Sequence, residues 1–326
     1  MKLSRRQFLH LAAGAAAVSI ICVFGQHAWS QTPRTVKVVV PFPPGGNTDI
    51  LARSLAEQIG GTQRATIVVE NRPGAASVIG TEVVARAAPD GSTVLLNAPP
   101  FVINPHLRTV NYDALTSFEP ICYLAREPLV IVVNSASPYH TLADLLSGAR
   151  GRPGRLTLAS IGPASTFHIT FEKLKRDAKV DMTFVPYPGA SPAVNALLGE
   201  HVTSVFTTYA AVAEQLKAGK LRAIVTASRD RIEPLPNVPT ISESGYKEID
   251  ADAWSGLVAP AKTPKETVSQ LADWFGAALQ SPEVRAKLVI QRFYPVEMRG
   301  ADFSAYIKKQ HEEFGRVIRE ANIKAE

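Results

Sequence analysis

From Thr35 onward the chain alternates short β-branched runs with stretches of helical period. "TVKVVVPF" leads into "DILARSLAEQI", "ATIVVENRPG" into "ASVIGTEVVARAAPDG", and "STVLLNAP" into a loop. "PLVIVVNSASPYHTLADLLSGAR" and "RLTLASIGPASTFHITFEKLKRDA" repeat the order of strand, turn and helix. "MTFVPYPGASPAVNALLGEHVTSVFTTYAAVAEQLKAG" and "LRAIVTAS" extend it, and "PEVRAKLVIQRFYPVEMRGADFSAYIKKQHEEFGRVIREANI" reads as helix, strand and a long amphipathic helix. Helical stretches of roughly 10–15 residues between strands predict crossover units and mainly parallel sheets. No regular internal period and no low-complexity tract interrupts this order, which argues against solenoids and disordered tails.

Ahead of that rhythm the order is different. Lys2, Arg5 and Arg6 precede an apolar run from Leu11 to Phe24, followed by Ala28 and Ser30 before Gln31. Basic, apolar and cleavable segments in that order describe an export signal over residues 1–30. The adjacent arginines of "SRRQFL" resemble a twin-arginine address, and the apolar run is short for a membrane span. Three of the 35 Lys+Arg lie there and none of the 29 Asp+Glu, so the mature chain is close to +3 rather than +6. That balance does not call for nucleic acid. Cys122 is the single cysteine left after Gln31, so no intramolecular disulfide forms and the exported chain relies on its core.

A mature chain of roughly 300 residues more often splits into two domains than forms one. A long non-helical stretch, "SFEPICYLAREPLVIVVN", feeds a new strand, and "SGYKEIDADAWSGLVAPAKTPKETV" carries few periodic positions. Both are read as crossings between domains. Residues 31–129 and 250–326 then form a first α/β domain, and 130–249 a second. Two such domains joined twice enclose a cleft, as in a hinged ligand trap.

Small-residue turns follow four of the strands. In "PFPPGGNTDIL", Pro43 and Pro44 fix φ, Gly45 and Gly46 free the backbone, and Asn47, Thr48 or Asp49 caps a helix. Further turns surround Asn71–Gly74, Ser160–Thr166 and Tyr187–Ser191. First-turn amides lack internal acceptors and can hold an anion at the C-terminal ends of strands. Each turn alone is equally an ordinary connector whose hydroxyls only cap a helix.

Other chemistries fit poorly. "PPGGNTD" lacks the dinucleotide glycine spacing, no Gly-Lys-Ser/Thr is present, and "SESG" does not make a hydrolase elbow. The histidines from 106 to 311 show no ligand spacing, so neither a metal nor a cofactor is expected. Ser165 and His168 lie three residues apart, which raises a nucleophile–base reading. A capping serine has its oxygen engaged, however, and no carboxylate is evident to orient the ring.

Taken in order, "VVVPFPPGGNTDILAR", "VVENRPGAASVIGTEVVARAAPDGSTVLL", "INPHL", "YDALTSFEPICYLAREPLVIVVN", "VPYPGASPAVNALLGEHV", "AGKLRAIV", "LPNVPTISESGY" and "AWSGLVAPAKTPKETV" resemble the solute-binding proteins of tripartite tricarboxylate transporters, the TctC or Bug family. The match spans nearly the whole mature chain. It implies a periplasmic binding protein-like fold: two α/β domains with mainly parallel sheets, joined by two crossover segments around a ligand cleft. It implies a monomer that closes on a small carboxylated solute and hands it to membrane transporter subunits of the tripartite type. A soluble sensor that presents its ligand state to a membrane receptor is the alternative.

By the same resemblance, the loop Phe42, Pro43, Gly45, Gly46, Asn47, Thr48 and Asp49 grips the carboxylate. The loop Ser160, Gly162, Ala164, Ser165 and Thr166 opposes it, with His168 beyond. Tyr187, Gly189 and Ala190 form a further cleft loop, Asn97 to Phe101 lies at the end of the third strand, and Thr207 stands where relatives often carry an acid or amide. Phe42 and Phe101 either line the cleft or belong to the core. Arg72 is a surface group or a charged partner. Prolines 99 and 100 with Phe101, and the missing acid near Thr207, favour an aromatic or partly apolar acid over an amino acid, with a di- or tricarboxylate also open.

Overall fold

A computed structural model describes residues 35–63, 65–162, 165–249 and 251–324. The proposed export segment and Ala164 lie outside the described residues. In chain order the elements are β1 (Thr35–Val40), α1 (Asn47–Gln63), β2 (Thr66–Asn71), α2 (Val78–Ala85), β3 (Thr93–Asn97), α3 (Pro100–Leu107) and β4 (Phe118–Asn134). Then come α4 (Leu142–Gly151), β5 (Thr157–Ile161), α5 (Thr166–Ala178), β6 (Thr183–Tyr187), α6 (Ala190–Leu198), β7 (Ser204–Thr208) and α7 (Tyr209–Lys217). The chain ends with β8 (Leu221–Thr226), β9 (Asp252–Pro260), α8 (Lys265–Gln280), α9 (Pro282–Ile290), β10 (Tyr294–Arg299) and α10 (Gly300–Glu320).

The strands β1–β3 are parallel, and β9 runs antiparallel between β3 and β4. β10 covers the other edge of β4. Past Pro128, β4 changes partners: Leu129–Val132 pairs antiparallel with β7, and Val130–Asn134 with β8. β7, β5 and β6 are mutually parallel. One 17-residue strand therefore belongs to two sheets. The chain returns beside it, the Ala251 amide donating to Ala227 O on one side and Asp252 pairing with Pro128 on the other. The expected long non-helical stretch is thus a single through-running strand.

Each sheet is covered on both faces, so successive strand residues enter different cores. Val36, Val38 and Val40 of β1 pack under α1 and α8, whereas Val39 joins Leu95, Trp254, Phe303 and Phe314 on the opposite face. In the second sheet Ile131 and Val133 pack with α4 and α5, and Val130 and Val132 with α6 and α7. Burial on both faces is why these strands read as continuous apolar runs rather than as alternation.

After β3 the sequence reading expects a loop, and the structure has α3 instead. Pro100 at the first helical position loses no intrahelical bond there, so "PPF" starts a helix as readily as it stiffens a turn.

Candidate functional site

Strand directions place the candidate loops. β4 runs parallel to β1–β3 and opposite to β5–β7. The C-terminal ends of both parallel sets therefore point at each other across the middle of β4. Asn97 at the end of β3 is level with Gly256 and Tyr123, and Thr208 at the end of β7 is level with Leu129. At 3.3 Å per residue the gap between those levels is roughly 15–20 Å. Its floor is the stretch of β4 from Leu124 to Pro128 and the facing residues of β9.

On one side the loop Phe42–Asp49 is held from within. The Asp49 carboxylate accepts from the Gly45 amide (2.9 Å), Arg53 Nε (3.0 Å) and Asn71 Nδ2 (3.0 Å), and Asn71 also donates to Phe42 O (3.2 Å). Burial opposes its charge, but the Arg53, Gly45 and Asn71 hydrogen bonds win and hold this carboxyl below the usual range. Asp49 is 3 % exposed, and its carboxylate is taken up in shaping the loop. Gly45 takes φ +79°, a left-handed geometry that favours glycine. Gly46 needs no such freedom. Pro43, Gly45, Gly46 and Asn47 are exposed, and Phe42 and Thr48 half-buried. Phe42 leans on the core beneath α1. Arg72 pairs with Glu70 on the surface, the first of the two roles left open for it.

On the other side Ser165 caps α5. Its hydroxyl donates to Ile161 O (2.8 Å) and accepts from the His168 amide (3.3 Å). The amides of Thr166 and Phe167 have no intrahelical acceptor and form the open end of the helix. Gly162 donates its amide to Tyr187 O (3.0 Å), tying this loop to the next one. There, Gly189 opens α6 without a side-chain cap, and Tyr187, Gly189 and Ala190 are half-buried. The His168 ring stacks on Phe184 (centroids 4.1 Å apart), with Nε2 3.8 Å from Glu172 Oε1. Burial lowers its pKa, with Glu172 opposing. Glu172, one turn further on the same helix, is the carboxylate that the sequence reading overlooks.

Four more of the expected site residues have buried side chains. Ser160 is 1 % exposed and its hydroxyl donates to Phe206 O (2.6 Å), joining two strands. Thr207 is 3 % exposed within β7. Phe101 is 1 % exposed, stacked on Tyr112 and edge-on to Phe118, so it belongs to the core. Asn97 is also 1 % exposed; it faces the interior beside Gly256. Strand period puts the side chains of Ser160, Thr207 and Asn97 inward, and Phe101 is turned inward from the first turn of α3.

Three features of the cleft escape a sequence reading. Ala75, Ala76 and Ser77 all take positive φ (47°, 52° and 80°), a left-handed turn rarely built from non-glycine residues. Asn104 Nδ2 donates to Ala76 O (2.8 Å) and Thr81 Oγ1 to Ser77 O (2.9 Å), which holds it. Glu127, in the floor, accepts from Asn47 Nδ2 (2.7 Å), and burial pushes its carboxyl up to about 7 against that hydrogen bond. Third, a cavity of about 290 Å³ is lined from both sheets: Ala76, Pro99, Pro100, Ile103, Asn104, Leu107 and Arg108 on one side, Ile161, Ser165, Thr166 and Phe167 on the other, with Ala253 below. Ala253 is the residue that pairs with Glu127. A cavity of about 340 Å³ around Tyr139, Arg152 and Glu200 lies away from the strand-end loops.

Two α/β units sharing a through-running strand, with helix N-termini confronted across it, define the class of the periplasmic binding proteins. Residues 51–323 match the family model described as the tripartite tricarboxylate transporter family receptor. Protein BugT of Bordetella pertussis is 33% identical over 294 residues, 89% of this chain and 90% of that protein. Among solved structures, R. palustris Rpa4515 with adipate superposes with a TM-score of 0.73 at 31% identity, covering 89% of this chain and 98% of the other. MatC from Rhodopseudomonas palustris with bound malate gives 0.69 at 29% identity, covering 87% and 98%. The chain belongs to the tripartite tricarboxylate transporter receptor family, the TctC/Bug group of solute-binding proteins. That is a family of periplasmic receptors rather than enzymes. Among the described residues no helix is long and apolar enough to cross a membrane.

Proposed function

We propose that this receptor captures a small carboxylate with a partly apolar body between its two α/β units and delivers it to tripartite-type membrane subunits. The observation that carries the reading is the direction of the strands. The helix starts at Gly46–Asn47 and Ser165–Thr166 follow strand ends that point at each other over one floor, and a cavity of about 290 Å³ opens at the second of them. A carboxylate there exchanges water for oriented amides, at about 0.3–2 kcal/mol of dipole contribution per helix end. The apolar wall of Pro99, Pro100, Ile103, Leu107 and Phe167 selects the rest of the molecule. The adipate and malate held by the two relatives are of the same chemical class.

The domains 31–129 with 250–326 and 130–249 move as two bodies, hinged where β4 changes sheets and the chain returns at Ala251–Asp252. The chain works as an exported periplasmic monomer and releases its ligand unchanged. With the Ser165 hydroxyl engaged as a cap, the nucleophile–base reading has no free oxygen to start from.

Calorimetric titration with a panel of mono- and dicarboxylates tests the proposal, with mass spectrometry of the recovered ligand checking for turnover. At Gly46 an added Cβ meets nothing closer than Pro43 O at 3.5 Å, so Gly46→Val folds while crowding the helix start. It is expected to weaken the best acid roughly five- to tenfold. Unaltered affinity in that variant would remove this loop from the site.

A further inference from the structure

Glu127 brings an acid into the cleft floor with no cation to balance it. It stands one residue before Pro128, the last position of β4 that pairs with β9 before the strand changes sheets. Across to β9 it is level with Ala253, the residue below the cavity. The side chain is half-buried and reaches the start of α1, where Oε2 accepts from Asn47 Nδ2 at 2.7 Å. Asn47 is the first residue of that helix, so the carboxyl lies within about 7 Å of the Asn47 Cα.

The charged groups of the surrounding elements act on one another instead. On α1, Asp49 is bound to Arg53. On β4 and β9, Arg126 is bound to Asp252, with the Tyr294 ring of β10 beside it. Neither these nor Arg108 and His168 across the cavity figure among the influences on Glu127. Burial pushes its carboxyl up to about 7, and the Asn47 hydrogen bond opposes.

A carboxylate arriving at the α1 start is a second negative charge in the same half-buried space. Two acids that close together do not both stay ionised, and the one already disfavoured by burial takes the proton. Closure of the two units over the floor removes more water and acts in the same direction. We propose that capture of a carboxylate at the α1 start is coupled to the uptake of one solvent proton by Glu127, so that loading is favoured by acid and release by base. This rests on the proposed capture at the helix starts and adds the proton that travels with it. The proton passes from water to a Glu127 oxygen as the ligand enters and returns as it leaves. In between, the protonated carboxyl is a hydrogen-bond donor facing an anion.

The test is calorimetry with adipate, malate and benzoate near pH 6.5 and near pH 8.5, each in two buffers of different ionisation enthalpy, which counts the protons taken up. The three acids are ionised over this range, and burial lowers the His168 pKa and keeps that ring largely neutral. In the free protein Glu127 holds its proton below about 7 and loses it above, so affinity is highest at the lower pH and falls as pH rises. Near pH 8.5 close to one proton should enter with each ligand, and binding should be roughly ten- to thirtyfold weaker than near pH 6.5. The proton count on wild type needs no variant. Glu127→Gln keeps a donor but cannot ionise, and should bind without proton uptake and equally well at both pH values. No proton uptake by wild type, or the same pH slope in Glu127→Gln, would overturn the coupling and leave capture standing. Binding of none of the three acids at either pH would overturn both.

Discussion

Glu127 is the residue whose chemistry is most out of the ordinary. Its carboxyl is raised from the usual range to about 7 because burial in the cleft floor outweighs the hydrogen bond from Asn47. The folded state therefore holds a proton that the unfolded chain has released, in the window between the ordinary value and about 7. The stability this group contributes is present at low pH and is lost as pH rises through that window. Glu127→Gln should accordingly raise the unfolding free energy near pH 8 by about 1–3 kcal/mol and leave it nearly unchanged near pH 4. Denaturant melts at the two pH values measure it, and an equal gain at both would show that ionisation is not the cause. At this scale the sequence is a partial guide. Glycine, proline and capping residues act through the local backbone, so the turn at Gly45 and the cap at Ser165 were legible. The burial of Asp49, Ser160, Phe101 and Thr207 was not legible, because the direction of a side chain depends on its layer. Glu127 and Arg108 are ordinary letters until the fold brings them to the cleft.

Between elements, α5 and α10 form a contact that a sequence reading has no means to foresee. Lys173 on α5 is 4 % exposed and donates to Glu313 on α10 and to the Glu248 carbonyl. Arg176 pairs with Glu320, about one turn further along α5 and two turns further along α10. α5 is the helix whose first turn faces the cleft, so this pairing anchors it to the other sheet's side. Removing one partner leaves a charge enclosed without compensation. Glu313→Leu is expected to cost about 3 kcal/mol, and adding Lys173→Met should recover most of it. A double variant as unstable as the single one, in denaturant melts, would show that packing rather than charge holds these helices together. The strand and helix order was legible because both periods are local signals. α3 was not, since two prolines mask its period even though one stands at a compatible first position.

For the whole molecule, two crossings and two α/β units were predicted from chain length and from two stretches without helical period, because sheet-covering helices impose their spacing on the chain. The sharing of β4 was hidden, since a strand that leaves one sheet for another looks like any long apolar run. That shared strand sets the level at which both groups of loops meet, and capture by closure is the central claim. The direct measurement is the distance between spin labels at Ile79→Cys and Ser191→Cys, exposed positions near the starts of α2 and α6. Cys122 is buried and takes no label. Saturating the protein with the tightest carboxylate found by calorimetry should shift the distribution to a shorter, narrower distance. An identical distribution with and without bound acid would contradict capture between the two units.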